Sequence, residues 1–236
     1  MADGIYVSMN GASARMAQLE SISDNLANAQ TPGFKATRPS FEAFLAMGAG
    51  KNASKVYPAA VSTQVDLSTG AVVQTGNPLD VVPTGKSFLA VQTSTGLALT
   101  RNGHLQIEQN GGMTAAGRPV IGRDGQPIMT PLGARVRLDA SGAVYANDSK
   151  IAELALYEAT GPVDRIGPSL LAPHDQKSLV PSTDTLRLGE IETGNASPLE
   201  AAVQLVSAQR HFETSMQALQ TYRRMDERAA EVGRVR

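Results

Sequence analysis

The feature that most constrains this chain is a proline-free N-terminal stretch in which apolar and small residues recur at alternating intervals of four and three. Between Asp3 and Ala29 the series runs through Ile5, Met9, Ala12, Met16, Leu19, Ser23 and Leu26. This spacing places the side chains on one stripe of an α-helix and is typical of a heptad seam. The stretch carries few charges, so much of its surface is weakly solvated. The sequence therefore predicts a long first helix that packs against other apolar surface.

The residues after this stretch predict where the helix stops. Pro32 disfavours the helical conformation of the residue before it, so we expect the helix to end at Asn28 or Ala29. The tetrapeptide Thr31–Phe34 has proline at its second position and glycine at its third, which is the pattern of a type II turn. Gly33 is therefore expected to adopt a positive φ, which residues with a Cβ rarely tolerate.

A second long helix is predicted near the other end of the chain. Ser197 is a favourable N-cap, Pro198 fits the first helical position because it has no amide hydrogen, and Glu200 completes a capping box. Beyond this start the intervals of three and four return at Leu205, Ala208, Phe212, Ser215, Leu219 and Tyr222, and the stripe is widened by Leu199, Val203, Val206 and Met216. Such stripes usually form intramolecular core. Their length also favours a second interpretation, a surface for self-assembly.

The chain between the helices has a different pattern. Residues 35–74 combine a short apolar patch with a run of small residues, which indicates a connector with little regular structure. From residue 75 onward, short apolar runs alternate with turn signals such as Asn102-Gly103, Asn110-Gly111 and Asp124-Gly125. The runs predict short strands, among them Phe88–Thr93, Val136–Leu138, Ala143–Ala146 and Ile151–Glu158. No helix of crossover length fits between these runs, so we expect antiparallel strands.

The predicted fold class is therefore α+β. Long N- and C-terminal helices are expected to pair as a coiled-coil-like domain made of residues 1–34 and 196–236. The connector of residues 35–74 leads to a central antiparallel β domain, residues 75–195.

Composition argues against several classes of partner. The formal net charge is -1, which supplies no field for nucleic acid or an anionic membrane. The chain has no cysteine, so it has no thiolate nucleophile and no cysteine-ligated metal site. No apolar run approaches the roughly 20 residues of a membrane span. The first residues also lack the pattern of a secretory signal, so we expect no cleavable signal peptide.

Motifs that suggest catalysis or ligand binding fail on their spacing. Thr84–Ser87 contains the Gly-Lys-Ser of a phosphate-binding loop, but Asp80 stands where that loop requires a glycine. The histidines His104, His174 and His211 do not occur at metal-ligand spacing, and we expect them on solvated surface. We therefore predict no catalytic, cofactor-binding or metal-binding residues and no small-molecule substrate. A β-rich enzyme is the rival hypothesis, and it would need a deep polar pocket.

One segment carries a more specific signal. It runs from Leu19 to Lys35 and contains Asn25, Asn28, Thr31, Pro32, Gly33 and Phe34. This segment closely resembles the N-terminal signature of the bacterial flagellar rod and hook proteins, in which a first helix ends in N-L-A-N-x-x-T-x-G-F-K. The resemblance continues through Thr75–Val81, Phe88–Gln92 and Thr100–Gly103. It resumes at Leu188–Glu200, which is similar to the lead into the last helix of that family, although Leu188, Gly194 and Ser197 depart from its pattern.

The resemblance implies a structural, self-assembling subunit of the proximal rod in the flagellar basal body, which transmits motor torque across the periplasm. It implies assembly with other flagellar rod proteins and with copies of itself. The assembly helices would contribute Ile5, Met9, Met16, Leu19, Leu26, Leu205, Phe212, Met216 and Leu219. It also implies that the paired terminal helices form an inner domain and that the β domain lies outside it. The resemblance further implies transit through the flagellar type III export apparatus. The alternatives are a distal rod or hook subunit of the same family, or a β-rich coiled-coil binding module.

Overall fold

Two α-helices bracket a long series of short strands in the computed structural model, which describes residues 2–47 and 54–234. Helix α1 spans Ala2–Ala27, helix α2 spans Pro198–Arg234, and a 3-10 turn lies at Gln176–Ser178. The strands are β1 (Thr37–Met47), β2 (Ser54–Val65), β3 (Val72–Gln74), β4 (Val81–Pro83), β5 (Phe88–Thr93), β6 (Gly96–Thr100), β7 (Leu105–Ile107), β8 (Met113–Ala115), β9 (Arg118–Pro119), β10 (Val136–Leu138), β11 (Ala143–Ala146), β12 (Ser149–Glu153), β13 (Leu156–Ala159), β14 (Val163–Arg165), β15 (Leu171–Pro173), β16 (Leu179–Pro181), β17 (Leu186–Leu188) and β18 (Glu190–Glu192).

The chain divides into two compact units, each built from separate stretches of sequence. The helical unit consists of Met1–Ala27, Thr37–Gln64 and Ser197–Arg236. The β unit consists of Asn28–Ala36 and Val65–Ala196. The segment that follows α1 therefore belongs to the β unit, whereas the sequence pattern groups residues 28–34 with the first helix.

Helix α2 begins where the sequence predicts. Ser197 Oγ accepts a hydrogen bond from the amide of Glu200, 3.4 Å away, and the Ser197 carbonyl accepts one from Ala201 at 2.9 Å. The Glu200 carboxylate accepts a bond from Gln204 Nε2 at 3.0 Å. Ser197 is thus the N-cap of the helix, and Glu200 supports the first turn through its i,i+4 neighbour.

The predicted coiled-coil-like inner domain of paired long terminal helices is wrong. A heptad seam buries both of its alternating columns, but Met9, Met16 and Ser23, which form one column of α1, are exposed. The side chains that do pack form a short hydrophobic cluster of Leu19, Ile22, Leu26, Ala201, Leu205 and Ala208. Helix α1 has 26 residues against 37 in α2. Outside these helices, the regular structure of the described residues is almost entirely β-strand.

The expectation of little regular structure at 35–74 is also wrong. Strands β1 and β2, of 11 and 12 residues, form a two-stranded sheet within the helical unit. Pro39 and Pro58 lie inside these strands and argue against a central strand, because proline cannot donate to a ladder of hydrogen bonds. In a two-stranded sheet each strand has one unpaired edge, where the missing donor costs little. Residues 48–53, most of the predicted small-residue run, lie outside the described residues.

The β unit is built from antiparallel sheets. The largest has six strands in the order β14-β15-β6-β5-β13-β16. Its centre is the hairpin of β5 and β6, in which Leu89 lies opposite Thr100 and Thr93 lies opposite Gly96. Beneath the sheets, a core of apolar side chains includes Val81, Leu89, Val91, Leu105, Met113, Val144, Leu156 and Leu186. The predicted strand bounds of β5, β10 and β11 are confirmed, whereas residues 151–158 form parts of two strands instead of one.

Neither helix of the described residues is sufficiently long and apolar to cross a membrane.

Candidate functional site

The family-like segment from Asn25 to Lys35, called here the N-terminal motif, begins in the last turn of α1. There the Asn25 side chain binds the backbone of Thr37 in both directions. Its Nδ2 donates to the Thr37 carbonyl at 2.8 Å, and its Oδ1 accepts from the Thr37 amide at 3.0 Å. Ser21 Oγ donates to the same carbonyl at 3.0 Å. Asn25 thus holds the start of β1 against the end of α1 within the helical unit.

The next residues of the N-terminal motif form the predicted turn. The Thr31 amide donates to the Asn28 carbonyl at 2.9 Å, and the Phe34 amide donates to the Thr31 carbonyl at 3.2 Å. Gly33 has a φ of +68°. Both features agree with a type II turn at residues 31–34, in which Pro32 presets the second position. A Cβ on Gly33 would lie 2.1 Å from the Asn102 backbone nitrogen, so glycine is required for space as well as conformation.

The last residues of the N-terminal motif enter the interior of the β unit. Phe34 is completely buried, and the Arg165 guanidinium carbon lies 4.9 Å from the centre of its ring. A guanidinium over an aromatic face is a favourable cation–π contact. The motif therefore provides core side chains to the β unit in addition to ending the first helix.

A buried set of three charged residues, called here the ion triad, lies next to Phe34. Lys35, Arg101 and Glu192 are 1%, 1% and 0% exposed. Lys35 Nζ lies 2.7 Å from Glu192 Oε1, and Arg101 Nη1 lies 3.3 Å from Glu192 Oε2. One carboxylate thus binds two cations that come from distant parts of the sequence.

Backbone groups complete the surroundings of the ion triad. Lys35 Nζ donates to the Ser68 carbonyl at 2.5 Å, and the Gly70 amide donates to Glu192 Oε1 at 2.9 Å. Arg101 donates to the carbonyls of Pro83 and Gly85 at 2.6 and 2.5 Å. Its Nε is buried without a hydrogen-bond partner. The triad is well coordinated through its backbone contacts, but it still contains one more positive than negative charge.

Burial dominates the electrostatics of both cations. Desolvation lowers the pKa of Lys35, and the bond from Glu192 only partly opposes this effect. Desolvation also lowers the pKa of Arg101, against the attraction of Glu192 and Asp184. Both charges are therefore held at an energetic cost that Glu192 reduces.

Residues next to Glu192 bind the N-terminal motif directly. Asn195 Oδ1 accepts from the Ala36 amide at 2.7 Å, and Asn195 Nδ2 donates to the Asp66 carbonyl at 2.8 Å. The Gly33 amide donates to the Glu192 carbonyl at 2.8 Å. A Cβ on Gly194 would lie 2.5 Å from the Ala29 carbonyl oxygen. The two family-like ends of the sequence thus meet inside the β unit.

The sequence patterns did not single out Lys35, Arg101 or Glu192 as site residues. Each of them nevertheless lies in a segment that resembles the flagellar rod and hook proteins. Charged residues are rarely fully buried unless they are paired, so nothing in the sequence indicates that these three lie in the interior. Lys35 and Glu192 have apolar neighbours in the sequence, but Arg101 stands between Thr100 and Asn102, so the local sequence does not identify the three as partners.

The predicted assembly residues do not form one surface. Leu19, Leu26 and Leu205 are half-buried in the cluster between the helices, Phe212 and Met216 are half-buried, and Leu219 is buried. Met9 and Met16 are 50% and 54% exposed. The side chain of Ile5 lies outside the described side chains. The structure brings Leu19, Leu26 and Leu205 together and leaves the two methionines at the surface.

A second group of apolar side chains is exposed along the first turns of α2. Leu199, Val203 and Val206 are 78%, 64% and 51% exposed. Their spacing of four and three places them on one face of the helix. The sequence pattern predicts that these residues widen the packed stripe, but they form an exposed apolar surface, called here the α2 exposed stripe.

Two histidines have carboxylate neighbours that the sequence did not reveal. His104 Nδ1 lies 2.7 Å from Oδ1 of the buried Asp80, and His174 Nε2 lies 2.8 Å from Asp164 Oδ2. Both imidazoles remain about half exposed. Within residues 2–47 and 54–234 there is no cluster of three or more metal-ligating side chains.

Comparison with known proteins identifies similar sequences at both ends of the chain. The model of the flagella basal body rod protein family matches residues 5–35, and that of the flagellar basal body rod FlgEFG protein C-terminal region matches residues 187–232. The first match contains Lys35 and the second contains Glu192. The matched regions therefore meet at the ion triad.

Whole-length relatives support the same comparison. The flagellar basal-body rod protein FlgF of Mesorhizobium japonicum is 30% identical in an alignment of 223 positions that covers 91% of each chain. FlgF of Escherichia coli is 31% identical in an alignment of 236 positions that covers 93% of each chain. FlgG of Bacillus subtilis is 24% identical in an alignment of 251 positions that covers 94% of this chain and 95% of FlgG.

Proposed function

This chain belongs to the flagellar basal-body rod protein family, and we propose that within it the chain is a self-assembling subunit of the proximal rod. Membership makes it a structural protein of the flagellar basal body and not an enzyme. As a rod protein it assembles with other components of the rod. In the proposed role it also contacts copies of itself and transmits motor torque across the periplasm.

The observation that carries the assembly proposal is the α2 exposed stripe. Leu199, Val203 and Val206 present contiguous apolar surface on one helical face, and such surface marks a site of association. Met9 and Met16 add exposed apolar surface on α1. In this proposal these five residues contact neighbouring subunits. Leu19, Leu26 and Leu205 hold the two helices together, while Ile5, Phe212, Met216 and Leu219 complete the assembly helices.

The packing of the β unit supports the proposed transmission of torque. Close-packed interiors deform little, so a subunit with a continuous core resists twisting. The core of this unit continues from the β5–β6 hairpin to Val144 and Leu186, and Phe34 of the N-terminal motif is also completely buried. A stiff unit of this kind is what a rotating shaft requires.

Passage through the flagellar type III export apparatus is part of the same proposal. A chain without cysteine forms no incorrect disulfides when it folds in an oxidising compartment. The position within the rod is also proposed here. Four relatives named FlgF are 30–31% identical over at least 90% of their length, and a fifth is 32% identical over 57% of its length. Three relatives named FlgG are 24–28% identical, which favours a FlgF-like proximal subunit over a distal one.

The test replaces Val203 by aspartate in a strain whose only copy of this gene carries the change. An aspartate on the α2 exposed stripe disturbs no side chain of the helix cluster but places a charge where a neighbour must pack. We expect Val203→Asp to be folded and exported but absent from basal bodies, and the cells to lack filaments and motility. Gln209→Asp, an exposed change on the same helix, is the matched control and should leave motility intact.

The measurements are electron microscopy of isolated basal bodies, the amount of subunit in the culture supernatant, and circular dichroism of the purified variant. Motile cells with filaments containing Val203→Asp would contradict the proposed assembly surface. Basal bodies in which the subunit occupies the distal rod or the hook would instead favour the alternative members of the family.

A further inference from the structure

We propose that residues 186–195, called here the closing segment, control the completion of the whole β unit through the carboxylate of Glu192. The segment contains β17 and β18, which pair with β4 and β3. It also supplies Glu192 to the ion triad and Asn195 to the backbone of residues 34–36 and 66. The inference concerns the folding of the chain and extends the proposed function.

The charge balance of the ion triad makes Glu192 different from its two partners. Without Glu192, the fully buried Lys35 and Arg101 would lose the only carboxylate described as contacting them both. Asp66 and Asp184 attract these cations from half-buried positions. Without Lys35, in contrast, Glu192 would still face Arg101, and the remaining pair would be neutral. Loss of the carboxylate should therefore be far more damaging than loss of the lysine.

Along the sequence, the carboxylate of the ion triad comes after both of its cations. Lys35 and Glu192 are separated by 157 residues, and Arg101 and Glu192 by 91. A chain that emerges N-terminus first thus contains both cations long before it contains their carboxylate. Burying both cations at that stage would cost more free energy than the partial core contributes to stability. The β unit consequently stays open until the closing segment arrives.

This behaviour suits the proposed function, on which its biological meaning rests. A subunit that crosses an export channel unfolded benefits if its largest unit cannot close on a partial chain. The physical claim itself concerns the purified chain and can be tested without a rod.

The test compares full-length variants by hydrogen exchange. In Glu192→Gln the amide keeps the shape of the side chain but removes the negative charge and presents a donor to one of the two cations. We expect amides of β10 and β11, which belong to a separate three-stranded sheet, to exchange about 100-fold faster or more. Glu190→Gln is the matched control, because Glu190 lies two residues away and pairs with the exposed Arg187 at 2.7 Å. Its exchange at β10 and β11 should change less than about 3-fold.

Two more variants keep the proposal testable if Glu192→Gln does not fold. Lys35→Met should fold and accelerate exchange at β10 and β11 at least 10-fold less than Glu192→Gln does. The double variant Lys35→Met with Glu192→Gln should recover protection relative to Glu192→Gln, since it buries one fewer unpaired cation. If Glu192→Gln is unfolded, a folded double variant supports the proposal in the same way.

Three results would overturn the closing role. They are acceleration confined to β3 and β18, equal damage from Lys35→Met and Glu192→Gln, and a double variant no better than Glu192→Gln. None of them bears on the assembly surface, because the variants are measured as isolated chains. Conversely, motility of the Val203→Asp strain would contradict the proposed assembly surface but not the proposed role of the closing segment.

Discussion

Two independent requirements, one conformational and one steric, make residue 33 a glycine. Its φ of +68° favours glycine over any residue with a Cβ, and its neighbour Asn102 leaves no space for a side chain. Gly117 has almost the same φ, +69°, but nothing lies within 4 Å of the position of its missing Cβ. The two glycines therefore separate the cost of backbone strain from the cost of close packing.

We predict that Gly33→Ala lowers the free energy of unfolding of the β unit by about 2–4 kcal/mol. About 1 kcal/mol of this comes from positive φ and about 1–3 from the displaced backbone of Asn102. Gly117→Ala, the matched control, should lose only about 1 kcal/mol. Urea denaturation monitored in the β unit measures both. Equal losses in the two variants would show that residue 102 moves aside freely and that the approach of the two backbones is not a constraint.

Helix α1 shows why a heptad pattern does not by itself produce heptad packing. Its described apolar contacts are made by Leu19, Ile22 and Leu26, which lie at intervals of three and four on one face. Met16 belongs to the other column of the pattern and faces away from this contact. An ideal helix drifts about 20° per heptad, so only a supercoiled partner of matching length keeps both columns covered. Small residues of α2, Ala201 and Ala208, instead allow close contact over a short distance.

We predict that Leu26→Asp breaks the contact between the helices and leaves the β unit intact. Leu26 is half-buried, so losing its side chain costs less than the roughly 2–5 kcal/mol of a fully buried leucine, and a carboxylate in its place adds a desolvation cost. Amides of α1 should lose protection from hydrogen exchange, whereas those of β5 and β6 should not. Ser23→Asp, an exposed change one turn earlier, should alter stability by less than about 0.5 kcal/mol. A similar loss from Ser23→Asp would mean that the second column of the heptad also packs.

The two units of the molecule differ greatly in the size of their cores. Fifteen buried residues form the main cluster of the β unit, whereas three buried residues, Ile22, Ala201 and Ala208, form the described cluster between the helices. Burying alanine removes little apolar area from water, and ordering long helices costs conformational entropy. The helical unit of an isolated chain is therefore marginally stable, and neighbours that cover the α2 exposed stripe would stabilise it.

For the purified monomer we predict unfolding in two steps. The helices should lose protection at lower denaturant than the β unit, because a small core gives a small free energy of unfolding. Hydrogen exchange should find weak protection at residues 5–28 and strong protection in β5 and β6. Circular dichroism at 222 nm and a probe in the β unit should give separate transitions. Strong protection throughout residues 5–28 in a verified monomer, or coincident transitions, would contradict the prediction.

Local features of the chain were readable from the amino-acid sequence. The N-cap at Ser197, the turn at Thr31–Phe34 and the bounds of β5, β10 and β11 depend on residues within a few positions of one another. Caps, proline and glycine preferences act over that range, so they can be recognised without knowing the fold. The family-like segments were recognisable for a related reason, since their residues are contiguous.

The remaining features depend on contacts between residues that are distant in the sequence. Which face of α1 is packed depends on its contact with the alanines of α2. The prolines of β1 and β2 are tolerated because that sheet has only two strands. The burial of Lys35 depends on a carboxylate 157 residues away. A charge favours the interior only when its counter-charge is already there, and no local pattern reports where the chain will bring that partner.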